Sequence, residues 1–331
     1  MNKYLNLVYT IFVVLFAIIL FSYPTNVFNA CKFGLTFWYS NILPSLFPFM
    51  IVTGLMLESS LLIKLIHALF SKVMEVLFRV SGVGSLPVIL GMFCGFPVGA
   101  KLTADLYDKK LLSLTEAERL ISFSNNCGPI FIISVVCLQL LDNIEYAPFI
   151  IFVQILSALS VGIIFRNYKK NVKPNKKSNK LINTNNTPKS ISKILNENII
   201  NSAYNVINIG SFIVFYSVLL EVLHVSNISN IINVFFIPIE NLLNIEPSLS
   251  GKLAVGMIEI STGVNSVAMS SGSILQKLLL INIIINWGSF SVHSQTNNIL
   301  QKSNICFKPY IIGKLLQTGF CILYTILFCL F

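Results

Sequence analysis

Polar side chains interrupt the apolar sequence in four short stretches, and the first of these carries glycines at every fourth position. If Gly91, Gly95 and Gly99 belong to one continuous helix, they line one face and admit a neighbouring backbone. Pro97 frees backbone groups that need protein, water or solute partners in lipid. The pattern fits either a tightly packed, kinked helix or a solute site. Lys101 can meet an anion beside exposed amides or extend to the membrane surface.

The second stretch places two adjacent amide side chains inside an apolar segment. Asn125 and Asn126 come directly before Cys127, Gly128 and Pro129. Two neighbouring asparagines cannot both face lipid at low cost. We expect them to line a cavity, and the alternative is an interhelical hydrogen bond used only for packing.

The third stretch contains a carboxylate among small polar residues, namely Glu259 with Ser261, Thr262 and Asn265. A carboxylate inside a membrane is costly unless it is protonated, paired or coordinating a cation. Glu259 is therefore the first candidate for coupling solute movement to H+ or Na+. The alternative is a neutral glutamic acid that is hydrogen-bonded between helices.

The fourth stretch surrounds a histidine with hydroxyl and amide side chains. His293 lies between Ser291 and Gln295, just after an apolar run that ends at Trp287. A membrane histidine is often structural, but this density of polar groups favours a helix that faces a solute. Its imidazole is also the side chain that titrates near neutral pH.

The sequence lacks the motifs of the common enzyme and ATP-binding classes. No HExxH, GxSxG, P-loop or GxGxxG pattern occurs, and the 7 cysteines are scattered without a CxxC pair. We therefore expect no enzymatic activity, no bound metal and no cofactor, apart from a coupling ion.

The composition indicates an integral membrane protein. Of 331 residues, 55% are hydrophobic and 11% are charged, whereas soluble domains carry about 25% charged residues. The first apolar run, Leu5 to Tyr23, has no small-residue cleavage pattern after it, which favours a retained span over a signal peptide. We predict an all-α, polytopic bundle whose main partner is the lipid bilayer.

The order of parts is repeated within the chain. Gly91-Met92 corresponds to Gly256-Met257, and the other matching parts lie about 165 residues apart as well. We predict an N-terminal transmembrane helix at 1–27, a first repeat at 28–166, a flexible linker at 167–196 and a second repeat at 197–331. The segments 83–100 and 248–268 are short and interrupted by Gly, Pro, Ser or Thr, which is typical of the broken helices of secondary transporters.

The linker is strongly basic. Nine of the 23 Lys and Arg residues and none of the 13 acidic residues lie between Arg166 and Lys193. Such a segment is expected in the cytoplasm, over anionic lipid headgroups. Tyr168 is the only aromatic residue among these cations, so we do not expect nucleic acid as a partner. With an odd number of spans in each half, the two repeats are inverted relative to each other.

Several motifs resemble one known family. Gly95 to Lys101, Glu116 to Leu120, Phe123 to Phe131 and Ser291 to Gln295 are similar to segments of the sporulation integral membrane protein YlbJ (SpoVV) family. That family belongs to the nucleoside-recognition or Gate domain group, and its plan is similar to the concentrative nucleoside transporters. The resemblance implies two inverted repeats with re-entrant or broken helices.

The same resemblance implies a function. Its members are held to pass dipicolinic acid, a pyridine dicarboxylate, across the outer forespore membrane of an endospore former. Lys101 and Arg119 would then supply positive charge, and the asparagines, His293 and Gln295 would supply hydrogen bonds. Two alternatives stay open: a nucleoside or ion transporter of the same fold, and a scaffold that transports nothing and docks other sporulation membrane proteins on its basic loop.

Overall fold

The computed structural model describes residues 3–169 and 190–329, and helices are the only regular structure within these ranges. The predicted linker, 167–196, falls largely on residues 170–189, which lie outside the described residues, and its predicted end at 196 lies inside a helix that begins at Ile191. The α-helices before the linker are α1 (Lys3–Ser22), α2 (Pro24–Phe37), α3 (Leu43–Glu58), α4 (Ser60–Val73), α5 (Ser85–Cys94), α6 (Val98–Asp108), α7 (Leu114–Ile121) and α8 (Ala147–Phe165). Those after it are α9 (Ile191–Val225), α10 (Ile228–Leu242), α11 (Lys252–Ile258), α12 (Ile260–Ala268), α13 (Ile274–Trp287), α14 (Ser289–Lys302) and α15 (Lys308–Cys329).

Three π-helical segments extend the helices of the first half, and they lie at Trp38–Ile42, Met74–Phe78 and Phe131–Leu140. The first of them joins α2 to α3 without a break. The predicted boundary at 27/28 therefore lies inside a continuous helix that begins at Pro24.

The lengths and compositions of the helices fit a membrane protein. Within the described residues, five helices are long and apolar enough to cross a bilayer: Pro24–Met56, Ile144–Phe165, Ile191–Val225, Ile274–Lys302 and Lys308–Phe328. A bent pair, Ser60–Phe78 with Gly82–Cys94, makes a sixth span if it counts as one, and its two parts meet at 102°. The predicted class, an all-α membrane bundle with broken helices, is confirmed.

The two short interrupted segments are helical hairpins. The arms α5 and α6 pack along each other, and so do α11 and α12. The first hairpin turns at Gly95, whose φ of 79° favours glycine because a side chain is strained there. The expectation that Gly91, Gly95 and Gly99 share one continuous helix is therefore wrong, since α5 ends at Cys94 and the chain folds back.

Glycines let the arms of each hairpin approach closely. A Cβ atom on Gly91 would lie 2.8 Å from the Cα of Gly99, and a Cβ on Gly263 would overlap the backbone of Gly256. Such contacts leave no room for a side chain, as in other close helix crossings in membranes.

Each half also contains one interrupted span next to its hairpin. In the first half, α7 ends at Ile121, and the chain becomes helical again at Pro129, just before the π-helical segment Phe131–Leu140. In the second half, α13 and α14 are separated at Gly288, which has a φ of 90°. An amphipathic helix, α4 or α10, precedes each hairpin. The order of amphipathic helix, hairpin, interrupted span and closing helix thus occurs twice along the chain.

The halves interlock at these interruptions. Helix α6 contacts α14, α12 contacts the segment Phe131–Leu140, and α15 packs on both α8 and α13. A shared core of buried aliphatic side chains, including Val135, Val136, Ile283 and Ile284, holds them together. The four interruptions are therefore brought to one region in the interior of the bundle.

Candidate functional site

A cavity of about 70 Å³ lies where the interruptions meet, and we call it the inner cavity. This volume exceeds that needed by one water molecule, roughly 10 to 15 Å³. Every interruption contributes to its wall: the first hairpin, the interrupted span of the first half, the second hairpin, and α14 of the second half. These parts supply Cys94, Gly95, Phe96, Cys127, Gly128, Phe131, Glu259, Ile260, Ser261, Ser291, Val292 and Gln295.

Apolar side chains from outside the interruptions complete the wall. They come from the continuous helix that contains α2 and α3, and from α9; they are Ile42, Leu46, Ile209, Phe212 and Ile213. The inner cavity is thus mostly apolar, with a few polar groups in its wall, which is the usual composition of a small-molecule site.

Among the described residues, Glu259 is the one that brings a carboxylate to this wall. It connects α11 to α12 in an extended conformation, and one carboxylate oxygen accepts a hydrogen bond from the backbone N–H of Thr262 at 2.6 Å. The side chain is 1% exposed. It therefore caps the amino terminus of α12 and faces the inner cavity at the same time.

Six predicted site residues line this cavity, and they come from all four stretches. They are Gly95, Gly128, Glu259, Ser261, Ser291 and Gln295. The separation of these residues along the sequence is large, so the tertiary structure alone brings them together.

Asn125 and Asn126 are buried beside the inner cavity but do not line it. The Asn125 amide donates to Thr296 Oγ1 at 2.9 Å, which joins the first interrupted span to α14. The Asn126 amide donates to the Phe123 carbonyl at 2.7 Å. Both side chains stabilise the position of this segment, and the next two residues, Cys127 and Gly128, form part of the cavity wall.

His293 also lies behind the wall. Its Nδ1 is 2.9 Å from the Tyr310 hydroxyl, and its ring packs edge-on against Trp287 with the centroids 4.4 Å apart. The side chain is 4% exposed. Its contacts therefore connect α14 with the end of α13 and the start of α15.

The remaining predicted residues occupy other positions around the site. Pro97 follows the hairpin tip, Gly99 packs against the backbone of Ser124, and Thr262 lines a different cavity described below. Asn265 lies on α12 and lines neither cavity.

The two cations that the sequence suggested for an anion lie elsewhere. Lys101 is exposed on α6. Arg119 is buried, but its guanidinium donates to the backbone carbonyls of Arg79, Tyr168 and Lys169 at 2.7 to 3.1 Å. Because α6 turns its lysine outward and Arg119 anchors the start of the linker, neither cation reaches the inner cavity.

Sequence reasoning missed a buried lysine on the last helix. Lys314 is 0% exposed, and its Nζ donates to Gln317 Oε1 at 2.9 Å and to Asn126 Oδ1 at 3.3 Å. Gln317 in turn donates to Asn126 Oδ1 at 2.8 Å and to Asn286 Oδ1 at 2.9 Å. A lysine with a glutamine three positions later, inside the apolar run 309–331, was the signal that could have identified this cluster.

A second, larger cavity of about 610 Å³ lies on the other side of the second hairpin, and we call it the vestibule. Its wall includes Glu221 and His224 of α9, Asn233 of α10, Lys252 of α11 and Thr262 of α12. Ser261 faces the inner cavity while Thr262 faces the vestibule, so the turn between α11 and α12 separates the two spaces.

Comparison with solved structures shows the fold. A variant of CNTnw in an outward-facing state, a concentrative nucleoside transporter, aligns with a TM-score of 0.59 at 10% sequence identity. The alignment covers 99% of this chain and 88% of that one. The broken helices described above therefore belong to a known transporter fold.

Comparison with sequences shows the family, although no protein-family model matches the chain. The sporulation integral membrane protein YlbJ of Bacillus subtilis (strain 168) is 31% identical over 310 residues. The match covers 89% of this chain and 76% of that relative. With this identity over most of both sequences, the chain belongs to the YlbJ family of sporulation integral membrane proteins.

Proposed function

We propose that this protein is a carrier that moves a small anionic solute across a membrane during endospore formation. The solute in this proposal is dipicolinic acid and the membrane is the outer forespore membrane. The observation that carries the proposal is the inner cavity, whose wall takes residues from all four helix interruptions.

Helix interruptions favour solute binding for a physical reason. Backbone groups that leave a helix inside a membrane need other partners, and they are tolerated where they are buried in protein or line a cavity. Here both halves direct their interruptions to one place. This is the arrangement expected at the binding site of a secondary transporter.

The two cavities support movement by alternating access. The vestibule is lined in part by the last turns of α9, a helix of 35 residues that begins at Ile191, in the last part of the predicted basic linker. At about 1.5 Å per residue, such a helix spans the bilayer, so the vestibule lies on the side opposite the linker. Movement of the α11–α12 turn would connect the vestibule with the inner cavity.

Uptake by the purified protein tests the carrier. We expect proteoliposomes that contain the wild-type chain to accumulate radiolabelled dipicolinate, whereas empty liposomes do not. Excess unlabelled nucleoside should leave this uptake unchanged. Absence of dipicolinate uptake would refute the proposed substrate. Inhibition of uptake by a nucleoside would favour a nucleoside carrier. A protein that acts only as a scaffold would transport neither compound.

Substitutions behind the cavity wall test the site in cells. In an endospore former that lacks its own family member, we expect Asn125→Ala or His293→Ala to lower spore dipicolinate while the protein stays in the membrane. Losing a buried hydrogen bond costs about 1 to 3 kcal/mol, which corresponds to slower transport by roughly fivefold to a hundredfold if the cost falls on the transport step. Normal dipicolinate content in both variants would contradict this assignment.

A further inference from the structure

The buried Lys314 has an unusual environment for a charged side chain. Within residues 3–169 and 190–329, no carboxylate oxygen lies within 4.0 Å of its Nζ. Its two hydrogen-bond acceptors are neutral amide oxygens, on Asn126 and Gln317. An ammonium group has three N–H donors, so one remains without an acceptor among the described residues.

One residue contacts both this ammonium group and the inner cavity. Phe96 lines the cavity, and Lys314 Nζ lies over the face of the Phe96 ring, 5.3 Å from the centroid. The face of an aromatic ring carries partial negative charge and attracts a cation. Phe96 therefore partly compensates the charge of Lys314 while no solute is bound.

The supports of Lys314 fix its position next to the inner cavity. Asn126 directly precedes Cys127 and Gly128, which line the cavity, and Gln317 ties the cluster to α13 through Asn286. The hydrogen bonds around the ammonium group thus connect three elements that meet at the site: the first interrupted span, α13 and α15.

We propose that Lys314 selects anionic solutes by binding a carboxylate after the Phe96 ring turns aside. The inference rests on the proposed function, because it assumes that the solute enters the inner cavity. A buried cation with no carboxylate partner among the described residues gains more from an anion than an exposed lysine does, since water does not screen the pair. The ring and the solute carboxylate exchange places over the same ammonium group.

The test compares an anionic with a neutral solute of similar shape. We would measure the uptake of two radiolabelled solutes by proteoliposomes: dipicolinate and its uncharged diamide, pyridine-2,6-dicarboxamide. The proteins compared are wild type, Lys314→Met, Lys314→Arg and Lys302→Met. Lys302 is an exposed lysine at the end of α14 and serves as the matched control. In Lys314→Met, Asn126 and Gln317 keep their mutual hydrogen bond, so the fold should persist.

We expect Lys314→Met to reduce the dipicolinate-to-diamide uptake ratio by at least about tenfold, because a hydrogen bond to a charged group contributes roughly 1.5 to 3 kcal/mol. Lys314→Arg should retain most of the ratio, and Lys302→Met should match wild type. Equal losses for both solutes in both Lys314 variants would show a purely structural role and overturn the inference, as would an unchanged ratio in Lys314→Met. If wild type takes up neither compound, the proposed function itself fails, which distinguishes that failure from the failure of Lys314.

Discussion

At the scale of single residues, Glu259 combines two roles that are usually separate. Its carboxylate caps α12 through the Thr262 N–H and also forms part of the cavity wall. An ionised Glu259 carboxylate in the cavity wall would repel an anionic solute, and protonation of Glu259 would remove that repulsion. We therefore propose that Glu259 carries a proton that travels with the solute.

We predict that Glu259→Gln uncouples transport from the proton gradient. Glutamine keeps an oxygen that can accept the Thr262 hydrogen bond but cannot titrate. An imposed gradient of one pH unit represents about 1.4 kcal/mol, and it can drive up to roughly tenfold accumulation with one proton. In proteoliposomes, this stimulation should disappear in the variant.

Glu240→Gln is the control for this prediction. Glu240 is a buried carboxylate that accepts hydrogen bonds from Ser250 and Gly251, but it does not line the inner cavity. Its variant should respond to the gradient as wild type does. If Glu259→Gln still responds to the pH gradient as wild type does, the coupling role is contradicted. If the wild-type protein responds to a sodium gradient instead, the coupling ion is Na+.

At the scale of elements, the hairpins depend on close backbone contact. A Cβ atom on Gly99 would overlap the carbonyl oxygen of Ser124, which lies in the first interrupted span. The first hairpin and the interrupted span therefore have fixed positions relative to each other, and both contribute to the cavity wall.

We predict that Gly99→Ala lowers the thermal stability of the purified protein. Overpacking of this kind costs about 1 to 3 kcal/mol, because the backbone of Ser124 cannot move as a side chain can. The control is Gly319→Ala on α15, where a Cβ atom would meet nothing within 4 Å. Melting curves should show a lower Tm for Gly99→Ala only, and equal curves would contradict the packing argument.

At the scale of the whole molecule, the repeated order of elements predicts that the halves have opposite orientations in the membrane. The loop before α8 contains Asn143, and the corresponding loop before α15 contains Asn304. Since α8 leads to the basic linker, which we expect inside, Asn143 should lie outside and Asn304 inside.

Cysteine labelling of these two loops tests the orientation. In a cysteine-free background, a membrane-impermeant thiol reagent added outside intact cells should label Asn143→Cys and spare Asn304→Cys. After the cells are opened, both variants should react. Labelling of both positions from the same side would contradict the inverted arrangement.

The sequence by itself determined the class of the protein and most of the places where its helices break. Lipid offers no hydrogen bonds, so Gly, Pro and polar residues inside apolar runs mark interruptions that remain visible locally. The breaks near Gly128, Glu259 and Gly288 follow from this constraint, and so does an interruption within 83–100, although the glycine spacing there suggested one continuous helix through Gly95.

Only the tertiary structure decided which polar side chains face the inner cavity. Asn125, Asn126 and His293 lie behind the wall, while Ser261, Ser291 and Gln295 form it. Lys314 comes to the site from a helix far along the chain. The rotation of each helix is set by packing against distant neighbours, and that information is not contained in any local stretch of residues.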